Sequence, residues 1–161
     1  MAAGTTTQLS ILSLFFILTF IPIPYFSCPL HQKQSLIRFK STLTTIFNSN
    51  SDPTSVYYVP FAELDSWNRS SDCCSWARVK CSQTRNVTEL HLDNSVPLFV
   101  DPVPEMNPDI LTPLFETQSL KVLDISMNLL QGEIPGDGFD NLTELVHLDL
   151  NYNNFNGSIP G

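Results

Sequence analysis

Leu120 to Pro135 reads LKVLDISMNLLQGEIP, and Leu145 to Pro160 reads LVHLDLNYNNFNGSIP. Laid over each other, the stretches share Leu120/Leu145, Leu123/Leu148, Ile125/Leu150, Asn128/Asn153, Leu130/Phe155, Gly132/Gly157, Ile134/Ile159 and Pro135/Pro160, at a period of 25 residues. Aliphatic side chains at places 1, 4 and 6 are expected to point inward and stack on those of the neighbouring turn. The Asn at place 9 can bond the backbone where the strand ends and extend into a ladder. Gly and Pro in GEIP and GSIP permit a tight turn and forbid a helix there.

This period and the L-x-x-L-x-L-x-x-N-x-L spacing predict an α/β fold, a leucine-rich repeat solenoid. No single turn can bury its own apolar face, so its neighbours supply the core. Val87-Thr-Glu-Leu90-His-Leu92-Asp93-Asn94 matches the start of an earlier turn. Its first place lies 33 residues before Leu120, eight more than one period. The excess falls in Phe99 to Pro113, FVDPVPEMNPDILTP, with four prolines and three acids. Proline at this density argues against a central strand or a helix interior. The segment is expected to be an irregular extended loop bulging from the first turn, with ligand contact as its functional reading. Leu114 and Phe139 each stand six residues before a first strand leucine and should plug the convex side.

A coil of this kind displays one broad concave surface and usually binds rather than catalyses. The residues between the strand aliphatics should line it: Glu89, His91, Asp93 and Asn94 in the first turn; Val122, Asp124, Ser126 and Met127 in the second; His147, Asp149, Asn151 and Tyr152 in the third. They form a polar, acidic face with Met127 and Tyr152 as apolar handles. The plain alternative for Asp124 and Asp149 is solubility.

The 161 residues make one domain at most, with 8 basic and 16 acidic side chains and a net charge of −8. Such a chain repels nucleic acid phosphates and anionic lipid. The first 27 residues carry no charged side chain, and Leu9 to Ile23 is an almost unbroken apolar run ended by Pro22 and Pro24. It is short and interrupted for a membrane span. A secretory signal peptide over 1–27, cut near Ser27, is the reading; an uncleaved anchor is the competing one. No second hydrophobic segment follows, so no membrane span is expected in the mature chain.

Cys28, Cys73, Cys74 and Cys81, an even number behind a secretion signal, imply two disulfides. A bond between the adjacent Cys73 and Cys74 would be strained. That leaves Cys28 with one of them and Cys81 with the other. The spacing does not suit zinc, and no His stands nearby; neither a metal nor a cofactor is expected. Sequons at Asn68, Asn86, Asn141 and Asn156 predict surface glycans. Gln34 to Phe47 has helical periodicity, with Leu36, Phe39, Leu43 and Ile46 as an apolar stripe and Arg38 and Lys40 off it. The stripe should pack on the end of the core; the alternative is a partner-binding helix. Asn48 to Thr54 reads as a loop. Trp67 and Trp76 should cover the disulfides.

Four pieces together resemble the N-terminal part of plant leucine-rich repeat receptor-like proteins. Cys28-Pro-Leu-His-Gln-Lys-Gln-Ser-Leu-Ile-Arg-Phe-Lys is similar to the first cysteine and helix of their N-terminal cap. Ser66-Trp67 with Asp72-Cys73-Cys74-Ser-Trp76-Ala-Arg-Val79-Lys-Cys81 is similar to its second half. Asn86-Val-Thr-Glu-Leu-His-Leu is similar to the first strand, and the two L-x-G-x-I-P turns are of the plant type. The resemblance implies a right-handed coil of parallel strands, a second small sheet near the L-x-G-x-I-P segments, and Cys28–Cys73 with Cys74–Cys81, which is also the pairing favoured here. It divides the chain into a signal peptide (1–27), a cap (28–86) and about three repeats (87–161: an irregular 87–119, then 120–144 and an incomplete 145–161). It further implies a place at the cell surface or in the wall space, a peptide, glycan or protein ligand, a co-receptor kinase in the full-length protein, and a role in signalling and defence. Two departures stand out. Arg78 occupies a place where the family often has Gly, which predicts an altered turn. The long spacing from Cys28 to Cys73 predicts an insertion around Asn48 to Phe61.

No G-x-S-x-G, Walker loop or H-E-x-x-H occurs. His91 with Asp124 or Asp149 imitates part of a triad without a placed nucleophile, so no catalysis is expected. The sequence therefore reads as the N-terminal part of a receptor ectodomain. A soluble wall protein of the polygalacturonase-inhibitor kind and a truncated product without activity are the alternatives. With no further turn, the layer of Leu145, Leu148, Leu150, Phe155 and Ile159 should lie partly wet.

Overall fold

The computed structural model describes residues 27–50, 62–96 and 106–160. The apolar run Leu9 to Ile23, residues 51–61 of the expected insertion and residues 99–105 of the proline-rich segment lie outside these residues. The main sheet has the order β1-β2-β3-β4: Val79–Cys81, Val87–His91, Val122–Asp124 and His147–Asp149. β2, β3 and β4 are parallel, with Leu90 beside Leu123 and Leu123 beside Leu148. The 25-residue period thus becomes one turn of coil. β1 runs antiparallel to β2 and closes the edge toward the cap. A second, two-stranded parallel sheet pairs Gln131–Gly132 with Asn154–Phe155, at the L-x-G-x-I-P segments.

The strand aliphatics point into the core. Val87, Leu90 and Leu92 of the first turn and Leu120, Leu123 and Ile125 of the second are all buried. Their counterparts Leu145, Leu148 and Leu150 are half-buried, and Ile159 is 57% exposed.

An asparagine ladder closes each strand end. Asn128 is buried, and its Nδ2 donates to the carbonyls of Leu92 (2.7 Å), Ile125 (2.8 Å) and Ser126 (3.0 Å). Its Oδ1 accepts the N–H groups of Ser95 (2.9 Å) and Val96 (3.1 Å). One turn on, Asn153 Oδ1 accepts from the N–H groups of Asn128 (3.0 Å) and Leu130 (3.1 Å), while its Nδ2 donates to the carbonyls of Ile125 and Leu150. An amide side chain suits this place because it both donates and accepts. In the first turn the place falls to Ser95, whose Oγ is buried without a partner.

The cap is built on helix α1, Leu30–Asn50, which is longer at both ends than the periodicity predicts. Leu36, Phe39, Leu43 and Phe47 are its buried stripe, and Ile46 is only half-buried. Burial of four such side chains contributes on the order of 6–12 kcal/mol before entropy is counted. The N-terminal extension holds because Gln32, polar yet buried, is satisfied. It donates to Ser119 Oγ (3.0 Å) and accepts from Val87 N–H (2.8 Å), fastening the helix to the first turn. At the other end, residues 48–50, read above as loop, continue the helix.

The proline-rich segment differs from expectation. Pro108–Glu116 is a nine-residue 3-10 helix packed against α1, not an extended loop. Pro108 sits at its start, where no N–H is needed, and Asn107 Oδ1 caps it from Asp109 N–H (2.9 Å). Proline's fixed φ suits 3-10 geometry, so Pro113 forfeits only one bond of a short run. Ile110, Leu111, Leu114 and Phe115 are buried, an apolar pattern that overrode the proline signal. Ser35 Oγ donates to the Pro113 carbonyl. This part of the insertion is therefore core, not a ligand-contacting surface.

The disulfides pair Cys28 with Cys73 and Cys74 with Cys81. Asp72 ties them together: its Oδ1 accepts from the N–H groups of Cys28 (2.9 Å) and Cys74 (3.1 Å), and Oδ2 pairs with Arg85. Burial raises the Asp72 pKa, but the bonds from Cys28, Cys74 and Arg85 outweigh it and hold the carboxyl below its ordinary value of 3.8. Trp67 and Trp76 are buried and stacked, ring centroids 5.5 Å apart.

Candidate functional site

The open face of the main sheet carries the predicted outward residues in rows that follow the strand register. Glu89, Val122 and His147 are side by side, and so are His91, Asp124 and Asp149. Asp93, Ser126 and Asn151 follow two residues further along each strand end. Asn94, Met127 and Tyr152 then form a last row with one shared property. All three have positive φ, at 48°, 58° and 54°. The chain bends sharply there, and the strained left-handed conformation recurs in every turn. Met127 is 40% and Tyr152 82% exposed, at the rim of the face.

Not every residue is equally available. Ser126 is only 9% exposed, and its Oγ donates to Asp124 Oδ1 (2.7 Å), so it orients a neighbour rather than facing a ligand. Asp124 Oδ1 also accepts the Ser126 N–H (3.0 Å), and Asp149 Oδ1 the Asn151 N–H (2.9 Å), which fixes both carboxylates. Asp93 is engaged by Arg78 Nη1 (3.1 Å).

Two residues of this surface are missing from the sequence-based set: Arg78 and Lys80, both on the cap side. Lys80 lies opposite Glu89 across β1–β2, with Nζ 2.8 Å from Glu89 Oε2, and His91 Nε2 is 2.9 Å from the same oxygen. The bonds from Lys80 first and His91 second hold the Glu89 carboxyl below its ordinary range, against a smaller desolvation effect. Arg78 has φ 67°, so it adopts the left-handed conformation that glycine takes freely. The predicted altered turn is instead a turn in which Arg accepts that strain. Its guanidinium donates to the carbonyls of His91 (2.8 Å) and Asp93 (2.7 Å) and pairs with Glu63. The sequence signal was the Val79-Lys80-Cys81 alternation, too short to read alone.

The sequon side chains differ in exposure. Asn68, Asn141 and Asn156 are exposed and Asn86 is half-buried. Cys28, Asp72 and Cys73 bring three possible metal ligand atoms within 4.8 Å, but the two sulfurs are bonded to each other. Among the described residues no helix is long and apolar enough to cross a membrane.

Residues 29–82 match the family model described as leucine rich repeat N-terminal domain, and residues 119–142 and 144–161 match the leucine rich repeat model. Receptor-like protein 46 of Arabidopsis thaliana is 43% identical over 127 residues, 77% of this chain. The chain belongs to the plant leucine-rich repeat receptor-like proteins. Receptor-like protein Cf-9 of Solanum pimpinellifolium is 32% identical over 82% of the chain. Among solved structures, the BIR2 ectodomain from Arabidopsis thaliana is similar at 30% identity and a TM-score of 0.50, over 78% of this chain and 58% of that one. The chain spans 14% and 12% of the lengths of the two receptor-like relatives. In this family member, cap, disulfides, first strand and plant-type turns occupy the segments on which the resemblance rested.

Proposed function

We propose that this chain is a non-catalytic recognition module, part of the extracellular region of a receptor-like protein, and that the open face of its main sheet contacts a peptide, glycan or protein ligand. One observation carries the reading. Three strands in register present Glu89/Val122/His147 and His91/Asp124/Asp149 as continuous rows, on a scaffold whose opposite face is core. Rigid strands with carboxylates fixed by backbone bonds hold side chains ready for a partner at little entropic cost. The relatives' designation as receptor-like proteins supports the same reading. In it, residues 1–27 direct secretion, 28–86 form the cap and 87–161 the repeats. The four sequons carry glycans, and the module faces the wall space at the cell surface. A co-receptor kinase would join in the longer protein.

The test is a binding screen on the secreted, disulfide-bonded chain against acidic, basic and neutral peptides and oligosaccharides, repeated with Asp149→Ala/Tyr152→Ala. The reading expects at least one probe to bind and to lose affinity in the double variant. Binding that ignores these residues, or no binding at all, would contradict it.

A further inference from the structure

The outer face of α1 has a pattern of its own. Leu30, Lys33, Gln34, Ile37 and Arg38 recur at three- and four-residue steps, opposite the buried stripe of Leu36, Phe39 and Leu43. With Arg69, from the loop after Trp67, they line a groove of about 340 Å³. Leu30 is 68% exposed. The other large hydrophobics with such exposure among the described residues, Met127, Val146, Tyr152 and Ile159, belong to the second and third turns. Leu30 is the one in the cap.

The charges are as uneven as the hydrophobics. The chain has eight basic side chains. Arg38, Arg78, Lys80, Arg85 and Lys121 each pair with a carboxylate, and Lys40 Nζ donates to the carbonyls of Leu64 and Trp67. Among the described residues Lys33 and Arg69 do neither, and both stand in this groove. A protein of net charge −8 thus places its two unpaired cations beside its most exposed cap leucine.

We propose that this groove docks an acidic peptide segment of another protein, one that sets carboxylates against Lys33 and Arg69 and an apolar side chain against Leu30 and Ile37. The choice of a peptide follows from the lining. Sugars are commonly held by stacking on aromatic rings, and none of the six lining residues is aromatic. Aliphatic walls with flanking cations match alternating apolar and acidic side chains. None of the lining residues belongs to the rows on the main sheet, so the two surfaces are built from separate residues.

The test uses the complete, disulfide-bonded, isotope-labelled chain, titrated with a short capped peptide of alternating Glu and Leu. A Lys–Leu peptide and an oligogalacturonate serve as competitors. Amide shifts should centre on residues 30–38 and Arg69, and added salt should weaken binding. Lys33→Glu/Arg69→Glu should lose about tenfold or more in affinity, equivalent to about 1.4 kcal/mol. Leu30→Asp, a second exposed change, should weaken binding independently, and thermal melts confirm that each variant folds. Equal binding of the Lys–Leu peptide, shifts confined to the main sheet, or full affinity in the charge-reversed variant would overturn the proposal. Tighter binding of the oligogalacturonate would overturn the choice of a peptide.

Discussion

Replacing Asn128 by Ala should cost this fold more than any other single polar truncation on the coil. The side chain is 4% exposed and makes five hydrogen bonds to backbone groups of two turns. The Ile125 carbonyl keeps Asn153 Nδ2, and the Ser126 carbonyl keeps the Asn94 N–H. The N–H groups of Ser95 and Val96 and the carbonyl of Leu92 lose this partner. A buried polar group left unpaired costs about 1–3 kcal/mol, so three such groups set the loss at about 3 kcal/mol or more. Asn153→Ala removes an equivalent side chain from a half-exposed place where water can substitute, and should cost about 1 kcal/mol. Asn128→Asp preserves shape but replaces the Nδ2 donor with a carboxylate oxygen facing three carbonyls, and should destabilise at least as much as Ala. Urea unfolding followed by Trp67 and Trp76 fluorescence, with disulfides intact, measures all three. At about 2 kcal/mol per molar, 3 kcal/mol moves the midpoint by about 1.5 M. A loss under about 1 kcal/mol for Asn128→Ala, or a larger loss for Asn153→Ala, would refute the reasoning.

Further outcomes follow from the cap and the last turn. Arg78→Gly loses the guanidinium bonds but gains relief from φ 67°, whereas Arg78→Ala loses the bonds and keeps the strain; Ala should be less stable than Gly by about 1 kcal/mol in the same unfolding assay. Asp72 and Glu89 both lie below their ordinary values of 3.8 and 4.5 in the folded protein. The folded state therefore binds fewer protons than the unfolded one, and the stability they contribute is present above those values and lost as pH falls through the lowered ones. Melting temperature against pH should show that decline, flattened in Asp72→Asn. Removing Cys28–Cys73, with a sequence separation of 45, should cost about 4 kcal/mol, and removing Cys74–Cys81, with a separation of 7, about 2.5 kcal/mol, by loop closure in the unfolded chain. Hydrogen exchange should be faster over 145–160 than over 87–96 and 120–130, because Leu145, Leu148 and Leu150 are half-buried where Leu120, Leu123 and Ile125 are buried.

The coil and its outward rows were legible because place and period coincide: Leu120, Leu123 and Ile125 fix which neighbours point out. Asn128 and Asn153 were legible as a ladder, since an amide side chain donates from one atom and accepts at another. The 3-10 helix over Pro108–Glu116 was not, because proline content masked the spacing of Ile110, Leu111, Leu114 and Phe115. β1 was not, because three residues carry too little pattern to read as a strand before their antiparallel pairing with β2 is seen. The roles of Arg78 and Lys80 depend on that pairing, so the cap-side edge of the surface emerged only in three dimensions. Ser126 shows the reverse: its place on the strand predicts exposure, but its bond to Asp124 turns it down onto the sheet.

The central claim is that Leu90, Leu123 and Leu148 stack as successive parallel strands and place Glu89, Val122 and His147 in a row on the other side. Methyl and amide nuclear Overhauser spectroscopy on the complete, oxidised chain tests it most directly. The account predicts Leu90–Leu123 and Leu123–Leu148 side-chain contacts with interstrand backbone contacts at Leu92–Asp124 and Ile125–Asp149. Leu123 and Leu148 without mutual contacts, or paired antiparallel, would contradict it.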